Sequence, residues 1–391
     1  MIHLLSKAVV IIAILGTTSS IVYYLICLWS AWRFLQEQDA TDKSGRSTQT
    51  TAVSILKPLK GTDPGMYESL RSHCLQNYSE YEIIFGVSDP DDPAIELVVR
   101  LKDEFPQQAI RLVRCDKIPG TNIKVSNLAQ MLPSARFEVL LINDSDIRVT
   151  PDYLQQVVPP LTNPKVGLVT CLYRGIAAST LGSKLESLGI STDFAPGVLT
   201  ARYLESIRFG LGSTLAFRRS DLARIGGFEA LVDYLADDYQ IGNRIAALGL
   251  EVKLSEVVLE TYLPAYNFRG FIAHQLRWGR TIRDSRPWGY LGLLFTFGLP
   301  WALLTLIASQ SAIWSWALLG ATGIIRLCMA LAVGRGVLQD RQVTRRMWLI
   351  PLRDCIGVFV WLTSFVGHTI EWRGERFHLK DGKLTRIGEQ L

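Results

Sequence analysis

Ala8 to Trp32 is a run of 25 residues without a single charge. As a helix rising about 1.5 Å per residue, it is longer than the roughly 30 Å hydrocarbon core of a bilayer. A freely soluble protein is therefore excluded, and a spanning anchor is predicted over residues 1–35. A cleaved secretory leader has an apolar region of about 7–15 residues before a small-residue cleavage site, whereas this run ends in aromatic residues and Arg33. Pro287 to Ile325 is also uncharged, and apolar residues resume after Arg326 as far as Val333. That length suits a hairpin of two spanning helices over 287–333, joined near Gln310 and Ser311. A third block, 347–370, is interrupted by Arg353 and Asp354. Each charge costs about 2.5–3.5 kcal/mol near a helix centre, so the block spans, re-enters or lies at the interface.

Basic residues set the orientation. Arg33, Lys43 and Arg46 follow the first span, and Arg335, Arg341, Arg345 and Arg346 fill the loop 334–346. Such residues stay on the cytosolic side, which puts the linker 36–50 and the domain 51–267 there too. A basic tail, 371–391, prefers the same side. The expectation is a multi-pass membrane protein with its soluble domain on the cytosolic face, at the inner membrane in the case of a bacterium. A net charge of +5 over 391 residues falls short of the dense basic footprint of a nucleic-acid binder. The six cysteines form no CxxC pair and no metal spacing with the five histidines, which speaks against a disulfide scaffold or a zinc module.

Between the apolar blocks the pattern alternates. TAVSIL (51–56), EIIFGV (82–87), Ile110 to Arg114 and VLLIN (139–143) read as strands, with helical stretches near 66–76 and 94–105. Alternating strands and helices imply an α/β domain with a mostly parallel sheet, whose ligands gather at the strands' C-terminal ends. Neither GxGxxG nor GxxxxGK[ST] occurs, which weakens dinucleotide and P-loop readings.

Three strand or helix ends carry acids. Asp144-Ser145-Asp146 follows a hydrophobic strand, and such a pair can hold one divalent cation bridging a diphosphate; the plainer reading is a solvated turn. Asp89, Asp91 and Asp92 lie in a Pro-rich turn after the second strand, where acids are ordinary. Asp237 and Asp238 open a helix, where carboxylates suit the dipole, but a carboxylate in a cleft beside a hydroxyl substrate can also act as general base. His274 to Arg280 (HQLRWGR) belongs to a basic aromatic helix over 268–286. It is either an interfacial amphipathic helix or a source of phosphate-neutralising arginine.

Taken in order, SILKPLKG (54–61), DPDDPA (89–94), GTNIKVSNL (120–128), DSDIRV (144–149), ADDY (236–239), Arg277-Trp278 and WRGERF (372–377) resemble a processive-type family-two inverting glycosyltransferase. They are most similar to the ceramide glucosyltransferase branch. The resemblance implies a GT-A nucleotide-sugar domain and transfer of a glucose or N-acetylglucosamine type sugar from a UDP-sugar to a membrane lipid hydroxyl. A ceramide-type acceptor comes first; a hopanoid polyol, or a processive polysaccharide synthase, is the alternative. It also implies roles: Lys57, Asp89, Asp91, Asp92, Lys124, Asn127 and Asp144 around the nucleotide sugar, Asp144 and Asp146 on Mg²⁺ or Mn²⁺, Asp238 as base beside Asp237, and Arg277 with Trp278 in catalysis. His274, Gln275 and Arg280 are expected at the acceptor or at site closure. His274 stands where that branch's (Q/R)xxRW signature has Gln or Arg. A catalytically inactive receptor for nucleotide sugars is the reading from a different class.

Overall fold

The computed structural model describes residues 2–44, 51–372 and 374–388. The chain divides into two compact units. One comprises Ala40–Ala178, Glu205–Pro264 and Glu371–Leu391, the other Met1–Asp39, Ser179–Leu204 and Ala265–Ile370.

The first unit is built on an eight-stranded sheet. Its strands are β1 (Val53–Pro58), β2 (Tyr81–Val87), β3 (Ala109–Arg114), β4 (Val139–Ile142), β5 (Ile147–Arg148), β6 (Val166–Ile176), β7 (Leu215–Arg218) and β8 (Glu251–Tyr262), in the order β3-β2-β1-β4-β7-β6-β8-β5. β3, β2, β1 and β4 run parallel, as do β6 and β8, while β7 and β5 are antiparallel to their neighbours. The near-continuous apolar runs of β2 and β4 are buried at every position, and β1 at all but its last, as expected of parallel strands covered on both faces. Each buried Val, Ile or Leu contributes about 1.5–3 kcal/mol, so Ile55, Ile83 and Leu141, all fully buried, anchor the sheet's centre. After β3 the chain returns to the far side of β1 to form β4. The β1/β4 boundary is therefore a topological switch point, where ligands of open α/β sheets bind.

The C-terminal residues of this unit are not merely a basic tail. Glu375–Lys380 and Lys383–Arg386 form an antiparallel hairpin, turning at Asp381 and Gly382 with φ of 52° and 76°. An Asp-Gly pair is the usual sequence signal for such a turn. Phe377, Leu379 and Leu384 are buried.

The second unit is helical. Lys7–Asp39, Ile313–Val337 and Arg341–Ser364 are long and apolar enough to cross a membrane, and Pro287–Thr296 with Gly298–Ala308 makes a further pair bent by 54°. Helices Gly298–Ala308 and Ile313–Ala330 meet at a turn in which Gln310 and Ser311 have φ of 55° and 59°. The bend at Phe297 frees backbone groups that lipid cannot satisfy. The N-terminal helix, Ile2–Ser44, supplies the partners: Ser20 Oγ donates to Phe295 O (2.8 Å), Tyr24 Oη donates to Thr296 O (3.0 Å), and Gly298 N donates to Tyr24 Oη (3.0 Å).

The charges that interrupt the apolar blocks are paired. Arg326 donates to both carboxylate oxygens of Asp354, at 3.1 and 2.8 Å, and to Asp193 at 2.7 Å. Pairing is the condition for keeping such groups within an apolar bundle. Asp193 comes from Leu181–Leu204, a helical stretch broken by a π-turn at Ile190–Phe194. The sequence pattern runs that stretch together with the sheet, yet it clusters with the apolar helices.

Candidate active site

β4 ends at Ile142, and the turn that follows it through Asn143 projects Asp144, Ser145 and Asp146 from the switch point. Lys124 sits in the first turn of the helix Ile123–Met131. Its Nζ lies 2.8 Å from Asp144 Oδ1 and 3.0 Å from Asp237 Oδ2, off the hydrogen-bond line in the second case. One lysine therefore joins the DxD turn to the acidic pair that opens the helix Asp237–Ala247. Burial opposes the charge on Lys124, but Asp144, Asp237 and Asp238 outweigh it and hold the ammonium well above the ordinary lysine range.

The loop between them is as closely coupled. Asp144 N donates to Gly212 O (3.2 Å) and Gly212 N donates to Asp238 Oδ2 (2.9 Å). A Cβ on Gly212 would stand 2.6 Å from Asp144 Oδ2 and 3.6 Å from Asp238 Oδ2, so both carboxylates flank one point that only glycine leaves open. Asp238 Oδ1 accepts from Tyr239 N at 2.7 Å. Burial, followed by the neighbouring Asp237, pushes the Asp238 carboxyl up to about 6. Burial also raises Asp237, against the pull of Lys124.

Asp146 accepts a short hydrogen bond from Thr261 on β8. Burial and then the charge of Asp144 raise it to about 6. A third carboxylate stands close: Asp63 accepts from Ser145 Oγ at 3.0 Å. Among the described residues no group of three or more His, Cys, Asp or Glu stands at metal-ligand spacing. The pair Asp144 and Asp146 nevertheless suits Mg²⁺ or Mn²⁺, hard cations that are held by one or two carboxylates with substrate phosphates completing the shell. The charge of Asp144, which adds to burial in raising Asp146, is a repulsion that a cation would relieve.

The remaining expected donor contacts lie differently. Asp92 is buried and accepts from Gly61 N (3.1 and 2.9 Å) and Ala94 N (2.9 Å), tying the turn after β1 to the helix Ala94–Glu104. Asp89 and Asp91 are exposed, and Asp89 accepts from Asp91 N at 2.9 Å. Asn127 is buried, with its Oδ1 unpartnered. Its neighbour Asn122, not anticipated, caps the Lys124 helix and donates to Tyr234 O at 2.7 Å, fastening that helix to the segment before Asp237. Lys57 has no exposed surface. Its Nζ is turned beneath the DxD turn to Asp144 O (3.0 Å), beside His73 Nε2 (3.3 Å). Burial lowers its pKa to about 7, against the pull of Asp146 and Asp144.

In the helical unit, the helix Phe268–Ser285 carries the other candidates. Gln275 is buried, donates to Glu186 Oε2 (2.7 Å) and accepts from Arg353 Nη2 (2.7 Å). His274 lies 3.4 Å from Glu186 Oε1 and stacks on Tyr266 at 5.3 Å. Burial would raise the Glu186 carboxyl, yet His274 and Arg353 hold it below the usual range. Trp278 packs against Phe194 and His274, Arg277 is half-buried, and Arg280 donates to the carbonyls of Thr369 and Val366.

The description of glycosyl transferase family 21 matches residues 12–385. Two curated relatives come from Caenorhabditis elegans. The chain is 24% identical to ceramide glucosyltransferase 3 over 84% of its own length and 73% of that protein. It is 28% identical to ceramide glucosyltransferase 1 over 52% of its own length and 44% of that protein. Among solved structures, a mannosyltransferase from Pyrobaculum calidifontis in complex with GDP-Man and Mn²⁺ superposes with a TM-score of 0.55 at 20% identity, covering 92% of this chain and 99% of the other. That likeness establishes a shared GT-A architecture.

Proposed function

The chain belongs to glycosyl transferase family 21, and on that premise we propose that it is a membrane-bound inverting glycosyltransferase. It moves a glucose or N-acetylglucosamine type sugar from a UDP-sugar to the hydroxyl of a ceramide-type membrane lipid, on the cytosolic face of the bilayer. The observation that carries this reading is the junction made by Lys124, which joins the Asp144 turn and the Asp237-Asp238 helix start at the switch point of a parallel sheet.

Each residue's task follows from its surroundings. Asp144 and Asp146 would hold Mg²⁺ or Mn²⁺, which supplies positive charge to a diphosphate leaving group. Lys124 neutralises the carboxylates around it and keeps them ionised and in place. Asp238, held by Gly212 N, takes the proton from the acceptor hydroxyl, a step worth about 10²–10⁴-fold. No side chain acts as a covalent nucleophile, because attack opposite the leaving group inverts the anomeric carbon directly. Arg277 and Trp278 keep their catalytic assignment on the strength of the sequence motif.

The test is product analysis. The full chain in detergent is given UDP-glucose or UDP-N-acetylglucosamine with ceramide or a hopanoid polyol, and lipids are read by mass spectrometry. A hexosylated ceramide that disappears in excess chelator is expected. Product on the polyol alone would overturn the acceptor assignment, and undiminished turnover in chelator would overturn the cation.

A further inference from the structure

Lys57 is a fully buried lysine whose two hydrogen-bond partners are uncharged. An ammonium in such a place is costly unless its hydrogens are used, and the surroundings show how they are used. His73 Nδ1 faces Ser69 O at 2.9 Å; a carbonyl only accepts, so Nδ1 carries the ring hydrogen and Nε2 is turned to Lys57. Asn143 Nδ2 donates to Ser213 O (2.6 Å) and to Tyr153 Oη (2.9 Å), which leaves its Oδ1 3.2 Å from His73 Nε2, a contact between two acceptors and not a hydrogen bond. The ammonium thus joins two walls: the helix Met66–Cys74 through His73, and the DxD turn through Asp144 O.

We propose that Lys57 is a positioning residue: by bonding Asp144 O from beneath and His73 from the side, it fixes the backbone of the cation-binding turn and so sets its affinity for a divalent ion before nucleotide arrives. This rests on the reading that Asp144 and Asp146 hold the cation. Lys57 does not touch donor or acceptor, having no exposed surface. A bystander charge has the opposite signature, since removing a buried cation near two carboxylates strengthens the binding of another cation.

The experiment titrates Mn²⁺ alone into the nucleotide-free full chain in detergent, reading free Mn²⁺ by electron paramagnetic resonance. Asp146→Asn serves as the control for the site. Lys57→Met, which keeps the stem and loses the donor, is expected to weaken Mn²⁺ binding by at least about tenfold, the scale of losing a partner that orients a ligand. Lys57→Gln, which keeps an N–H without the charge, is expected to stay within roughly threefold of the parent. His73→Asn leaves the lysine but removes its orienting ring, and it is expected to weaken binding by about threefold to tenfold, so the outcome does not depend on a Lys57 variant folding. Binding by Lys57→Met or His73→Asn as tight as the parent's, or tighter, overturns the positioning role while leaving the cation site standing. If the parent binds no Mn²⁺, or binds it no better than Asp146→Asn, the underlying cation reading fails.

Discussion

The backbone N–H of Gly212 donates a 2.9 Å hydrogen bond to the carboxylate of Asp238. The glycine is needed because any Cβ there would intrude on Asp144 Oδ2 at 2.6 Å. Gly212→Ala is therefore expected to displace one acid or the other. Overpacking of this size costs about 1–3 kcal/mol of stability, so the fold should survive with a lowered melting point, while displacement of a site carboxylate should lower turnover at least about tenfold. Thermal unfolding and initial rates on one preparation check it.

Lys124→Met leaves Asp144 and Asp237 without their shared counter-charge. Removing one partner of a buried pair costs on the order of 3–5 kcal/mol, and this lysine is 19% exposed, so the lower end is expected, with activity lost. Lys124→Arg should restore stability more fully than activity, because a planar guanidinium replaces a point charge. Equal melting points for Lys124→Met and the parent would contradict the junction.

A base must be ionised to work. Burial and Asp237 raise Asp238 to about 6, so kcat/KM is expected to be level above that pH and to fall as pH drops through about 6. A profile level to pH 5 would remove Asp238 as the base. Asp238→Asn should retain UDP-sugar binding and lose about 10²–10⁴-fold in transfer.

The C-terminal hairpin braces the acidic segment. Leu235 N donates to Gly382 O (3.0 Å), Leu384 N donates to Asp233 O (2.8 Å), and Thr121 Oγ1 reaches Leu384 O (3.1 Å). Ending the chain after Trp372 strands those groups just before Asp237 and beside the Lys124 helix, so loss of activity with membrane insertion intact is expected. Activity assays on membranes normalised to the inserted protein would show it.

Much of this chain is legible locally. An uncharged run long enough to span, a strand followed by DxD, and two acids opening a helix each carry their meaning within a few residues, so the apolar helices, the α/β class and the acidic turns were all readable from residue order. Even the C-terminal hairpin announces itself in Asp381-Gly382, although a count of basic residues hides it. Partnerships are different. Lys124 meets Asp144 and Asp237, Arg326 meets Asp354 and Asp193, and Lys57 turns inward to His73, across sequence gaps that periodicity does not bridge. Whether a lysine faces a ligand or props the turn that would hold one depends on which elements the fold stacks around it. A side chain's type and spacing determine its chemistry; its burial and its neighbours, which decide how that chemistry is used, exist only once distant segments have packed.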